Sequence, residues 1–456
     1  MHPMTSLKRI FAVACVGTAL PNLDLFSVNI ALPSIAADFP AAALDDLSWV
    51  LNAYAIAYAA LLVFLGRLAE SSRRDRSFML GIALFCAGSA GSAFAHQLSV
   101  LVACRVLTAA GAALMTPTSI GLLLATHPPD QRGAAVRNWA GVGGLAAALG
   151  PLVGGALVYF DWRLVFAFNG LFGGVALAVA RHALPAVPGS PSRPPSPLAA
   201  LLITGGIAAM IFAIVKGNAW GWRSVGVSVS AGASALMLLA FAWHCVASKN
   251  PLIEPSLFRI RPFTGATLAM VPYSVSFGAM LFSVAVWGQS AWGWTALEAG
   301  LAIIPGPMMV PITSSLVTGR LVERHGPASA VTLGVALIVL GFIGWSTLIG
   351  LEPNMMLVMS GMLLNGIGVG LVFPALMGAG TQVLPPDSFS TGSALINMLR
   401  QSSIAVGVAV FVAIIGTQLS ALNRLDAFRL GWQVMTAVTL LTLVPTYMLL
   451  RKRNAP

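Results

Sequence analysis

Charge is what this chain lacks most. Asp, Glu, Lys and Arg make up only 9% of its 456 residues, while 57% are hydrophobic. A soluble domain carries about 25% charged residues. No polar stretch is long enough to form such a domain, so the composition describes a polytopic membrane protein. Cysteine is sparse too. Cys15, Cys86, Cys104 and Cys245 all fall in apolar runs without metal-ligand spacing, and are read as packing residues with no disulfide expected. The six histidines show no metal spacing either. There is no Gly-Lys-Ser/Thr loop to cradle a phosphate, and no nucleophile constellation, so neither an ATPase nor another enzyme is indicated. The formal net charge is +11. No basic patch alternates with aromatics, so the excess is not a nucleic-acid groove.

What the chain does have is apolar runs. They lie near 10–33, 48–66, 77–97, 99–124, 134–158, 163–181, 198–215 and 225–246, then 264–288, 297–319, 328–350, 355–380, 391–417 and 431–450. A run of about 20 apolar residues crosses the ~30 Å hydrocarbon core. About fourteen spans are expected. The first is read as an uncleaved span rather than a signal peptide, because it is too long and holds Asp24 and Asn29. With the N-terminus placed inside, inner loops hold 18 Lys and Arg and outer loops hold 5. That bias puts both termini in the cytoplasm.

The chain also repeats itself. Gly66-Arg67-Leu68-Ala69-Glu70 recurs as Gly319-Arg320-Leu321-Val322-Glu323, and Pro128-Pro129-Asp130 recurs as Pro385-Pro386-Asp387. Both recurrences sit at equivalent places in two series of six spans. A Pro/Ser-rich stretch at 185–197 cannot pack a core and reads as a linker. The expected organisation is a six-helix bundle at 1–184, the cytoplasmic linker at 185–197, two additional spans at 198–250 and a second six-helix bundle at 251–456. Parallel repeats of this kind, related by pseudo-twofold symmetry, place a substrate site near the midplane between the halves.

One acid lies deep inside an apolar run. Asp24 is roughly 21 Å from the inner start of its span, at ~1.5 Å per residue. Arg105 lies on a span running the other way, roughly 9 Å below its outer start, so the two share a depth. Burial favours the neutral carboxyl and a neighbouring guanidinium favours the charged one. Balanced against each other, these effects let Asp24 exchange a proton when a cation or the Arg105 distance changes. The bland alternative is an ion pair that locks two helices. Arg400, in Asn397-Met398-Leu399-Arg400-Gln401, is the second embedded cation and has no embedded acid in its own half. Capping helix carbonyls, snorkelling and binding an anionic substrate group all remain open for it.

Gly66 to Arg76 forms a short basic loop in which Glu70 can pair with Arg73 or Arg74. It is either a latch closing one side in one state or a solvated loop that fixes topology. Gly150, Pro151, Gly154 and Gly155 mark the fifth span as either a hinge or a tight interface. Asn29, Tyr54, Phe277, Trp287, Gln289, Asn365, Phe373, Asn397 and Arg400 fall on spans expected to line a cavity, although each such side chain is also an ordinary packing residue.

These motifs resemble the major facilitator superfamily, and within it the fourteen-span drug:proton antiporters. Leu23-Asp24-(x4)-Asn29-Ile30-Ala31-Leu32-Pro33 is similar to that group's first-span signature. Gly66-Arg67-Leu68-Ala69-Glu70 resembles the superfamily's loop motif, with Glu70 where an Asp is usual and Arg73 where a Gly is usual. Arg105 matches the fourth-span arginine, and Gly150-Pro151-(x2)-Gly154-Gly155 looks like the fifth-span motif of exporters. Trp162-Arg163-(x2)-Phe166-(x2)-Asn169, Pro251-Leu252-Ile253-Glu254-(x2)-Leu257-Phe258 and Arg400-Gln401 also fit. The resemblance implies a multi-pass inner-membrane exporter, monomeric and without a cofactor. It would move hydrophobic neutral or monocationic compounds in exchange for protons, working by alternating access on the proton gradient. Asp24 would carry the proton, with Arg105 as its partner. Gly66, Arg67, Glu70 and Arg73, with the repeat Gly319, Arg320 and Glu323, would form the latch, and the Gly150-Pro151 region would flex. The rival readings are a dedicated exporter of one metabolite or antibiotic, a proton-coupled importer, and a non-transporting membrane receptor or scaffold.

Overall fold

The computed structural model describes residues 3–40, 42–70, 72–189, 196–248, 251–384, 389–416 and 421–450. Half of the linker, at 190–195, and the repeat at Pro385-Pro386-Asp387 lie outside the described residues. The described chain is helical throughout its long segments. They are α1 (Pro3–Asp38), α2 (Trp49–Glu70), α3 (Arg74–Ala93), α4 (Leu98–Thr126), α5 (Pro129–Val158), α6 (Arg163–Ala183), α7 (Pro197–Trp220) and α8 (Val225–Ala247). After a short 3-10 turn come α9 (Arg261–Ala291), α10 (Ala296–His325), α11 (Pro327–Leu348), α12 (Met355–Thr381), α13 (Phe389–Ile415) and α14 (Ala421–Leu441, continued by short turns to Leu450).

Twelve of the described helices are long and apolar enough to cross a membrane, which makes this a multi-pass membrane protein. The two outside that set are α2, whose described apolar stretch is Trp49–Leu62, and α3. The last apolar window begins too late. Its helix starts at Ala421, because the first turns carry Arg424, Asp426 and Arg429 ahead of the residues that apolar content alone registers.

Local chemistry sets the helix ends. Ser196 caps α7 and Ser224 caps α8, each accepting from the backbone N–H three residues on. Thr295 and Glu298 form a reciprocal capping box at the start of α10. Asn354 caps α12, its Oδ1 accepting from Leu357 N at 3.0 Å. Gly326, at φ +81°, supplies the left-handed turn between α10 and α11. α10 itself is interrupted by prolines and by a π-turn at Ser314–Thr318, where Thr318 donates to the Thr313 and Gly370 carbonyls.

Packing divides the helices. α1 packs on α4, α5 and α6, α2 and α3 on α4, and α3 on α6. α9 packs on α12, α13 and α14, α11 on α12 and α14, and α10 on α12. The two sets meet where α2 touches α13, α5 touches α10 and α1 touches α9. α7 lies against both α2 and α13, and its main neighbour besides them is α8.

The junction between the sets is asymmetric along its length. At the end far from Pro3 and Leu450, residues 50–60 of α2, 275–288 of α9 and 401–405 of α13 are buried almost without interruption. Towards the terminal end, Leu61, Phe64, Leu65, Phe373, Met377, Asn397 and Arg400 are only partly buried. The far end is therefore closed, and the terminal end is more open.

Candidate functional site

Asp24 and Arg105, separated by 81 positions in the chain, meet in the interior. Both side chains are fully buried, and Arg105 Nη1 lies 2.7 Å from Asp24 Oδ2. Asn169 on α6 donates to the other carboxylate oxygen at 2.9 Å. Arg105 Nε donates to the Val50 carbonyl at 3.2 Å, and its guanidinium lies 4.2 Å from the centre of the Tyr54 ring and 5.7 Å from that of Phe166. Helices α4 and α6 thus converge on the carboxylate of α1, and α2 holds the arginine. Arg105 Nη2 and the Tyr54 hydroxyl are buried without a hydrogen-bond partner. An ion pair in so dry a place is held by geometry, because each oxygen has its own donor. Tyr54 stacks on Tyr58, which donates to Thr116 Oγ1 at 3.3 Å. Thr116 in turn donates to the Gly17 carbonyl at 2.9 Å, which closes a polar path back to α1.

Asn169 has no role in the sequence reading beyond its motif. Its signal was the same one that marked Asp24, a strongly polar side chain within an apolar run, but an amide carries no charge and stands out less. The backbone carbonyl of Val50 has no signal in sequence at all.

Arg400 lies at the junction of the two helix sets, on α13. Its guanidinium is 4.6 Å from the Phe373 ring centre and 5.9 Å from that of Phe277. Phe277 also meets Phe26 of α1 edge-on and Tyr273 in a stack. Asn397 lies one turn before Arg400 and donates to the Ser393 carbonyl. Asn365 donates to the Gly361 carbonyl, while its Oδ1 is buried unpartnered at a seam shared with Tyr273 and Phe277. Asn29 and Asn52 line a cavity of about 20 Å³, room for about one water, together with Gly278, Leu281, Ile404 and Val408 of the second set. The Oδ1 atoms of Asn29 and Asn52 are both unpartnered. Gln289 ties the sets together, donating to the Ile30 carbonyl at 3.1 Å. Trp287 stands apart from these residues. It is buried among Trp292, Phe428 and Trp432, inside the second set.

The basic loop holds an ion pair that the sequence reading did not name. Arg73 pairs with Asp75, Nη2 to Oδ2 at 2.7 Å, and Asp75 also accepts from Val187 N at 3.1 Å. The loop is thereby fastened to the chain following α6. Burial alone would raise the Asp75 pKa, but the hydrogen bonds from Arg73 and Val187, with the Arg73 charge, outweigh it and hold the carboxyl below the usual range. The Glu70 side chain lies outside the described residues. Arg67 reaches across to the second set, donating to the Pro251 carbonyl at 2.5 Å. Gly66 faces Pro117. In the repeat, Gly319 has open space around it, Arg320 bonds to the Leu316 carbonyl of its own helix, and Glu323 is exposed.

The fifth-span glycines form two contacts. Gly150 and Gly154 face α1, where a Cβ would meet Phe26 Cβ at 2.6 Å and Ser27 Cα at 2.7 Å. Ser27 Oγ donates to the Gly150 carbonyl at 2.8 Å. Gly155 faces the other set: its Cβ would sit 2.8 Å from the Ala296 carbonyl oxygen, and Gly300 packs on the Pro151 carbonyl. The closed far end therefore depends on a glycine-to-backbone contact between α5 and α10. Gly155→Val is expected to hold that end apart. A cysteine placed at Asn29 in a background without native cysteines should then react severalfold faster with a water-soluble thiol reagent. Gly154→Val, which disturbs only the α1–α5 contact, should lower stability without that selective exposure.

Comparison with known proteins agrees with this architecture. The chain is 29% identical over 416 residues to a tetracenomycin C resistance and export protein of Streptomyces glaucescens, covering 90% of this chain and 76% of the relative. It is 30% identical over 413 residues to a cephamycin export protein of Amycolatopsis lactamdurans, covering 89% and 84%. A multidrug resistance protein of Mycobacterium tuberculosis is 28% identical, with 91% and 77% covered. Among solved structures, a peptide transporter in complex with sulfate superposes with a TM-score of 0.72 at 17% identity, over 97% of this chain and 94% of that one. At that identity the likeness concerns the fold alone. Residues 14–408 match the family described as Major Facilitator Superfamily, and the chain belongs to that family of membrane transporters.

Proposed function

We propose that this chain is a proton-coupled exporter of hydrophobic compounds, working by alternating access. The observation that carries the reading is the buried Asp24, held by Arg105 and Asn169 on three different helices. A carboxylate placed where burial is costly is usually retained for moving a proton or meeting a cation. The relatives named for antibiotic export and multidrug resistance support the direction of transport. The closed far end and the more open terminal end suit the inward-facing state of such a cycle, with both termini in the cytoplasm and the chain in the inner membrane.

In this reading α2 and α3 also cross the bilayer, giving fourteen spans of the drug:proton antiporter type. Residues 1–184 and 251–456 are the two six-helix bundles, 185–197 is the linker and 198–250 holds the two additional helices. The transporter acts as a monomer, needs no cofactor and draws on the proton gradient. The sequence points to neutral and monocationic compounds, but a monocation suits the site least. Asp24 is already engaged, and Arg400 stands on the wall between the bundles.

The test is transport in everted membrane vesicles with an acidic lumen. Neutral, positive and acidic aromatic compounds should be compared for accumulation. An exporter accumulates its compound inside and releases lumenal protons as it does so. Accumulation only under the opposite gradient identifies an importer. Absence of both flux and proton release across the panel leaves a receptor or scaffold.

A further inference from the structure

Arg400 is a cation without a counter-charge. Among the described residues it makes no ion pair and no hydrogen bond, and its closest charge-complementary partners are aromatic faces. Arg105 shows what the same side chain looks like when it is paired, fully buried with a carboxylate and a carbonyl in reach. Arg400 is only partly buried, at the junction of the helix sets, where the open end begins. Tyr58 of the first set and Tyr273 of the second are both within its electrostatic reach. A guanidinium offers five N–H donors in a planar fork, and here none is used.

We propose that Arg400, set against the Phe373 and Phe277 rings, binds the carboxylate of a hydrophobic aromatic acid carried by this protein. This rests on the transport reading above and commits its substrate to compounds with one negative charge, outside the neutral and monocationic classes expected from sequence. The fork matches a carboxylate with two parallel bonds. A phosphate is the poorer fit, because a second charge in so apolar a wall adds a desolvation cost that one arginine does not offset. Phe277, Phe373 and Tyr273 supply ring faces for the aromatic body. Phe26 and Tyr58 bring the first helix set to the same place, so a bound acid would touch both halves. A positively charged compound would meet the guanidinium with no acid beside it.

The full-length protein in lipid nanodiscs is titrated by calorimetry with naphthoate, naphthamide and naphthylmethylammonium, three probes of one ring system that differ in charge. Naphthoate is expected to bind at least about tenfold more tightly than the amide, a gap of the size charged hydrogen bonds produce, and the ammonium most weakly. Arg400→Gln should bring naphthoate to the level of the amide and leave the amide within about twofold of its wild-type affinity, the loss being confined to the charged bonds. Arg400→Lys should keep an intermediate preference, since it retains charge without the fork. Equal affinities in the wild type, a preference for the ammonium, no binding of naphthoate, or a preference that survives Arg400→Gln each overturn the proposal. The wild-type ranking decides it even where a variant folds poorly. Asp24→Asn separates this proposal from the coupling reading. If that variant binds naphthoate but still accumulates it against a gradient, proton coupling through Asp24 fails and the Arg400 site stands.

Discussion

Asp24→Asn is expected to abolish uphill transport while leaving a folded protein that still binds and exchanges its compound. Asparagine keeps the shape of the carboxylate, and its Oδ1 can still accept from Arg105 or Asn169. It cannot take up a proton at any accessible pH. The size of the effect follows from the gradient. With one proton per molecule, a gradient of one pH unit supports about tenfold accumulation, since a unit of pH and a tenfold ratio represent the same free energy. Vesicles holding the variant should equilibrate at a ratio of about one, while exchange of labelled for unlabelled compound continues with no gradient imposed. Proton release on adding compound should vanish with the accumulation. Wild-type accumulation in the variant would remove Asp24 from the coupling path and leave the buried pair as a lock between α1 and α4.

Much of this centre was legible in the sequence, for a simple reason. Charge inside an apolar run is rare, and helix rise is constant, so depth can be counted from the ends of each run. Asp24 and Arg105 were placed at one height that way, and the fold puts them 2.7 Å apart. Depth fixes height but not azimuth. Trp287 belongs to a span that does border the junction, yet it is buried among aromatics of its own helix set, because the side of the helix it occupies depends on packing no single run records. The same limit left Gly150 to Gly155 undecided between flexing and packing. Only the fold shows that Gly150 and Gly154 meet α1 while Gly155 meets α10. The loop after α2 held a contact that was not legible for another reason. Glu70 stood where the repeated motif drew attention, and Asp75 stood outside it. Arg73 is two residues from Asp75, and the carboxylate also accepts from Val187, on a segment 112 positions away. A contact across that distance has no periodicity to reveal it.

Arg105→Ala is expected to be the most destabilising single substitution at the centre, and its partner is the reason. The guanidinium has no solvent exposure and serves the Asp24 carboxylate, the Val50 carbonyl and the Tyr54 and Phe166 rings at once. Removing one member of a buried pair costs about 3–5 kcal/mol, because the other charge is left unpaired. Truncation also opens a void among α1, α2, α4 and α6, which adds to the loss. Arg105→Lys should recover little of it. A single ammonium cannot reach both Asp24 and the Val50 carbonyl, and it lacks the flat face that lies on Tyr54. The decisive variant is the double one. Asp24→Asn/Arg105→Ala removes both charges together, so its heat stability, measured as the monomer peak surviving a temperature series, should exceed that of Arg105→Ala alone. The coupling between the two sites in that cycle should reach at least about 1 kcal/mol, the scale seen for directly contacting residues. A double variant less stable than Arg105→Ala by the full cost of Asp24→Asn would show two independent sites. Arg105 would then hold α2 and α6 through the carbonyl and the rings, and its charge would have no part in setting the state of Asp24.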